Sequence, residues 1–209
     1  MTWTVNNYDR LLAALGEHVS LVSIALAISL AVAAPLGIWS ARRPRVYTVT
    51  MAVTGMVYTV PTLALFALLI PFMGLGTAPA VTALVLYSLL ILVRNIATGL
   101  REIPHELVEA ADGMGFAPTQ RLFRIELPLA LPVIIAGIRI TLVTQISVAT
   151  VAAYISAGGL GDIIFQGITQ DIGEKVVVGA IAASILAVIA DGGLRFLEWR
   201  LRMAFGEQA

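Results

Sequence analysis

Apolar positions along this chain gather into five long runs separated by short polar stretches. Val19 to Trp39 carries no charge and is closed by Arg42, Arg43, Pro44 and Arg45. A second run extends from about Val46 to Ile70, a third from about Thr77 to Val93, a fourth from about Leu129 to Ile155, and a fifth from Val176 to about Leu194. A helix rises about 1.5 Å per residue, so roughly 20 apolar residues cross a hydrocarbon core of about 30 Å. Each run approaches or exceeds that length. The basic cluster behind the first run is a stop pattern that a cleaved signal peptide lacks, so the run is read as a retained span. The pattern predicts an all-α membrane protein with about five transmembrane helices. It also leaves room for a sixth, partial crossing around Gly158 to Gln170.

Composition strengthens that reading. Hydrophobic residues make up 59% of the 209 and charged residues 12%, against about 25% charged in an average soluble domain. The formal net charge is zero, which offers no bulk attraction for a nucleic acid. With no cysteine, disulfides, thiolate metal sites and cysteine nucleophiles are excluded together.

Charge matters here by its distribution. Arg42, Arg43 and Arg45 follow the first run, Arg94, Arg101, Arg121 and Arg124 lie between the third and fourth, and Arg195, Arg200 and Arg202 follow the fifth. All fall on one side of a five-span topology, while the other side holds only Arg10 and Lys175. Cytoplasmic segments retain Lys and Arg during insertion, so the N-terminus is expected outside and the C-terminus in the cytoplasm. Arg139 alone lies within a span, where a central arginine costs several kcal/mol unless it is paired or reaches the interface. Pairing with an acidic group such as Asp191, or snorkelling to the cytoplasmic boundary, is expected.

The one long hydrophilic connection, residues 94–128, reads as helix, turn and helix. Pro104 suits a first helical turn, and Leu107, Ala110, Ala111 and Met114 then recur at the spacing of one buried face. Gly115 suits the left-handed position that ends a helix, and Pro118 starts another, carrying Leu122, Phe123 and Ile125, before Pro128 breaks it.

Within this loop Glu109, Ala110 and Ala111, three residues, Gly115, nine residues, Ile125, one residue, then Leu127 and Pro128 reproduce the EAA signature at every position. The chain thereby resembles the permease subunits of bacterial ATP-binding-cassette (ABC) importers. That resemblance extends to the Tyr58–Leu65 stretch YTVPTLAL, the turn from Pro71 to Gly76, and AGGLGD from Ala157 to Asp162. These details look most like osmoprotectant permeases, which import glycine betaine, choline or carnitine; an amino-acid permease of the methionine type is the nearest competing likeness. The resemblance implies a type I importer permease fold, a single transmembrane domain over residues 1–209, multi-pass in the bacterial cytoplasmic (inner) membrane. It implies that residues 94–128 form a cytoplasmic coupling loop docking on an ATPase subunit. Small Ala110 and Ala111 would permit close approach, Gly115 would supply the bend, and Glu109 would offer an acceptor to a basic group on the partner.

The chain itself lacks the means to hydrolyse ATP by a phosphate-binding loop, since its sole lysine, Lys175, is followed by Val176. ATP and magnesium are therefore expected on a separate nucleotide-binding subunit, with no cofactor on this chain. Five spans are few for a closed pathway, so a second permease copy or paralogue is expected, and a separate extracytoplasmic substrate-binding protein would capture the solute. His18 and His105 have neither metal-ligand spacing nor a nucleophile set, so no catalytic residue and no metal site are expected; both read as solvated or interfacial.

For the translocation pathway, polar groups sharing a helix face are the candidates, because an unpartnered hydroxyl facing lipid is costly. Thr54, Tyr58, Pro61 and Thr62 fall in a narrow arc of the second span, where Pro61 invites a kink. Thr141, Thr144 and Gln145 share a face of about 100° in the fourth. Ser and Thr hydroxyls bonding to their own backbone or a neighbouring helix are the competing explanation. An ion channel or secondary transporter should show paired broken helices, internal repeats or intramembrane acids as ion sites, but no repeat is clear and the acids lie near the span ends. Gly158, Gly159 and Gly161 would let the chain turn sharply at the outer end of the fourth span, as a gate hinge or as a plain turn.

Overall fold

The computed structural model describes residues 2–204; of Arg202, counted above among the basic residues, only the backbone is described. Every element among the described residues is helical. A short α1 (Thr2–Asn6) precedes α2 (Tyr8–Arg42), which contains the first apolar run and extends it toward the N-terminus. Pro44 opens α3 (Pro44–Thr59), where its missing N–H costs nothing.

The second run departs from the expectation of one straight span. α3 and α4 (Thr62–Met73) are bent by 97° to each other. Pro61 causes the break, because it has no N–H to donate and drives the residue before it out of helical geometry. Val60 accordingly sits at φ −68°, ψ 127°. Its carbonyl accepts a hydrogen bond from Tyr87 Oη at 2.6 Å, so the bend is braced by α5 (Thr77–Arg101). Four helices are long and apolar enough to cross a membrane, and the bent pair makes up to five. α5 overruns the third apolar run, so Arg94 and Arg101 lie on the helix and not in the loop beyond it.

Pro128 does not break the second loop helix, contrary to expectation. After α6 (His105–Gly113), α7 (Pro118–Arg121), a π-helical turn (Leu122–Glu126) and α8 (Leu127–Ala152) follow without interruption, giving one 38-residue helix from Pro118 to Ile155. The wide turn lets the Leu127 N–H reach the Leu122 carbonyl, reseating the backbone just ahead of the proline. The partial crossing is α9 (Leu160–Thr169), whose 10 residues span about 15 Å and are too few to cross. It packs against α2, α8 and α10 (Gly173–Ala204).

α5 packs along both α2 and α8. Small residues bring these helices close, as van der Waals packing in lipid favours. A Cβ on Gly37 of α2 would come within 2.7 Å of Ile96, and one on Gly137 of α8 within 2.5 Å of Asn95. Leu21, Phe66, Leu84 and Ile146 form one apolar cluster; Leu92, Ile96 and Ile134 form a second. Arg139 is paired, with Nε 2.8 Å from Asp191 and Nη1 2.7 Å from Glu198, which ties α8 to α10. His18 is fully buried, not interfacial; its Nε2 lies 3.2 Å from the Ile146 carbonyl oxygen, because α2 runs inside the bundle there.

Candidate functional site

Two regions collect the residues singled out by sequence. The first is the loop between α5 and α8. α6 ends where Gly115 adopts φ +79°, with the Met114 N–H donating to the Ala110 carbonyl and the Phe116 N–H to that of Ala111. This left-handed cap is the geometry glycine favours. The apolar face expected to be buried is largely open. Ala111 is buried, but Leu107 is 44% and Met114 68% exposed, and Ala110 is exposed too. The reason is that α6 stands off the bundle, with α7 beside it. Glu109 points outward with its side chain 70% exposed, 3.6 Å from His105 Nε2. The structure brings Glu109, Ala110, Ala111 and Gly115 together on α6 and its cap, whereas Ile125, Leu127 and Pro128 sit at the π-helical turn and the start of α8. Leu127 packs into the apolar cluster there.

A charge relay joins the two halves of the loop. Arg121 pairs with Asp112 of α6 and, at 2.7 Å, with Glu126, whose other oxygen lies 3.5 Å from Arg42 at the end of α2. Arg101 donates to the Ser40 carbonyl at 2.6 Å and stacks 4.2 Å over Tyr47. Arg42, Arg101 and Arg121 thus meet at one end of the bundle. Sequence reasoning did not find the roles of Asp112 and Glu126, which stand nine residues before and five residues after Arg121 and share no helical spacing that would mark them as its partners.

The second region is the α3–α4 break. A cavity of about 280 Å³ is lined there by Tyr58, Val60, Pro61, Thr62, Tyr87 and Thr144, among others. Four of the seven pathway candidates meet in it. The other three lie elsewhere: Thr54 is buried and donates to the Thr50 carbonyl at 2.7 Å, while Thr141 and Gln145 are in the bundle interior. Gln145 Nε2 donates to Ser88 Oγ at 2.8 Å and Ser29 Oγ at 3.3 Å, linking α8 to α5 and α2. Tyr87 was missed, since the third run was read for its length and not for a polar face, although Ser88 adjoins it.

At the opposite end, the chain turns through Ser156, Gly158 and Gly159, all at positive φ. The Gly159 N–H donates to Glu17 at 3.0 Å, fixing this turn to α2. Burial, and then the charge of Glu17, hold the Asp162 carboxyl above the usual carboxylate range. Glu17, Thr77 and Ser156 also line a second cavity of about 640 Å³.

Compared with known proteins, residues 33–203 match the family described as binding-protein-dependent transport system inner membrane component. The chain is similar to the carnitine transport permease protein OpuCB of Listeria monocytogenes, at 40% identity over 96% of this chain and 92% of that one. It is 38% identical to the glycine betaine/carnitine/choline transport system permease protein OpuCB of Bacillus subtilis (strain 168), over 95% of this chain and 91% of that one. Among solved structures, an inward-facing conformation of the MetNI methionine ABC transporter matches with a TM-score of 0.81 at 22% identity, covering 91% of this chain and 95% of that one. The last is a likeness of fold, and it agrees with the all-α permease fold expected from sequence.

Proposed function

The chain belongs to the binding-protein-dependent transport system inner membrane components, and on that premise we propose that it is the membrane-spanning permease subunit of an ATP-driven importer of osmoprotectants such as glycine betaine, choline or carnitine. The observation that carries the reading is identity along nearly the whole chain to permeases named for those solutes. A methionine importer has only a likeness of fold in its favour.

In this reading a partner ATPase binds and hydrolyses ATP with magnesium, and this chain carries no catalytic group. The exposed face of α6 is the docking surface: Leu107 and Met114 enter an apolar cleft, small Ala110 lets the backbones approach while Ala111, buried within this chain, packs beneath it, and Glu109 accepts from a basic group. Gly115, Ile125, Leu127 and Pro128 fix how the loop leaves α6 and enters α8. Closure of the ATPase dimer draws the loops of two permease chains together and rocks their helices from inward-open to outward-open. The loop end faces the cytoplasm, the N-terminus faces outward, and a separate binding protein delivers the solute. Thr54, Tyr58, Pro61, Thr62, Thr141, Thr144 and Gln145 are the candidate pathway residues, with Tyr58, Pro61, Thr62 and Thr144 foremost because they share a cavity.

The test is uptake by the reconstituted transporter, with its ATPase and binding protein, in proteoliposomes. The double variant Glu109→Ala, Gly115→Ala should assemble weakly with the ATPase and lose ATP-dependent uptake. Normal coupling in that variant would overturn the assignment of the loop, and absence of osmoprotectant uptake by the unmodified transporter would overturn the substrate class.

A further inference from the structure

Resting on that function, we propose that the cavity at the α3–α4 break is a solute way station inside the permease, where the rings of Tyr58 and Tyr87 receive the quaternary ammonium group. At about 280 Å³ the cavity suits a small organic solute, and no side chain lining it is charged. A metal ion or a primary ammonium would enter such a cavity poorly, since neither finds a carboxylate there. A quaternary ammonium has no N–H to satisfy and spreads its charge over methyl groups, so an aromatic face is its natural partner.

The two rings are placed for that task. They meet edge to face, with centroids 5.8 Å apart and planes at 88°, offering two walls of one corner. Tyr87 is 6% exposed and its hydroxyl is held by the Val60 carbonyl, which makes it the fixed wall. Tyr58 is 41% exposed and forms the accessible one. The same cavity holds a donor for the polar end of the solute. The hydroxyls of Thr59 and Thr144 are committed to the carbonyls of Met56 and Ile140. That of Thr62 makes no hydrogen bond among the described residues, so it is free to meet a carboxylate or hydroxyl.

The experiment uses the complete transporter in proteoliposomes, with radiolabelled choline and glycine betaine as probes. Tyr58 is replaced by phenylalanine and then by mono-, di- and trifluorinated phenylalanine, which keep the ring's shape while draining its electron density. Tyr58→Phe should retain uptake, and the concentration for half-maximal uptake should rise stepwise along the series, by about tenfold in all. Tyr58→Leu should show a loss of similar size. A merely structural ring would not respond to fluorination, so a flat series, or a Tyr58→Leu variant with unchanged uptake, would overturn the site while leaving the function intact. An unmodified transporter that moves neither probe would overturn both together.

Discussion

Replacing Arg139 by methionine keeps the aliphatic length of the side chain and removes its charge from between two carboxylates. Nε lies 2.8 Å from Asp191 and Nη1 2.7 Å from Glu198, so two charge-assisted contacts between α8 and α10 are lost. Breaking a fully buried ion pair costs about 3–5 kcal/mol. The true figure here is smaller, for two reasons. The Arg139 side chain is 23% exposed, so some solvent screening is already present. Arg195 also remains 3.4 Å from Asp191 and keeps one cation in place. An intermediate loss of about 2–3 kcal/mol is expected, between the buried limit and the ~0–1 kcal/mol of an exposed pair. Reversible unfolding of the purified protein in mixed micelles, titrated with a denaturing detergent, measures it. A cycle with Asp191→Asn should return a coupling energy of about 1–2 kcal/mol. Stability within about 0.5 kcal/mol of the parent, the range of an ordinary surface change, would refute the argument that Arg139 is held by pairing.

Three further outcomes follow from the geometry. Gly161→Ala would put a Cβ 2.0 Å from the Thr150 carbonyl oxygen, so α9 must move off α8 at a cost of roughly 3 kcal/mol, read as a lower unfolding midpoint. Asp162 has a raised pKa in the folded protein, so the fold disfavours its ionised form and stability falls as pH rises from the ordinary carboxylate range through that raised value; Asp162→Asn should abolish this slope in pH-dependent melting. Because the chain has no cysteine, Met114→Cys and Val5→Cys provide single labels, and a membrane-impermeant thiol reagent applied to cells should modify the second and not the first if the loop faces the cytoplasm.

Much of the fold was legible because burial in lipid depends on run length, and that is written directly in the order of apolar residues. The four unbroken spans coincide with four of the five runs for this reason. Their ends were misplaced because hydropathy marks the membrane boundary, whereas a helix ends only when its backbone is capped; Arg94 and Arg101 remain helical on α5 although they are charged. Proline was misjudged in both directions. Pro61 breaks its span by 97° because it drives Val60 into extended geometry, and Tyr87 braces the bend by donating to the Val60 carbonyl. Pro128 leaves its helix intact because a π-helical turn absorbs the missing N–H. Nothing local distinguishes the two prolines. The EAA signature was legible as a motif, but the exposure of Leu107 and Met114 was not, since an apolar stripe looks the same whether its partner is the same chain or another. Thr141 and Gln145 share a face with each other, as their spacing required, yet that face points into the bundle because Ser29 and Ser88 are waiting on α2 and α5.

The unbroken helix from Pro118 to Ile155 bears on how a loop could act at a distance. From Arg121 to Thr144 it covers about 35 Å at 1.5 Å per residue. Arg121 is the residue that clamps α6 through Asp112, and Thr144 lines the cavity at the α3–α4 break. A hinge at Pro128 would absorb motion applied to α6 before it reached the cavity; a continuous helix transmits it. Under the proposed function the load therefore emerges where the backbone is already bent. One such place is Val60–Pro61, facing Thr144 across the cavity. The other is the turn through Ser156 and Gly159, which ends this same helix and is bonded to Glu17 of α2. The first bend carries Tyr58 and is braced by Tyr87 of α5, and the second borders the larger cavity, so one continuous helix reaches both cavities.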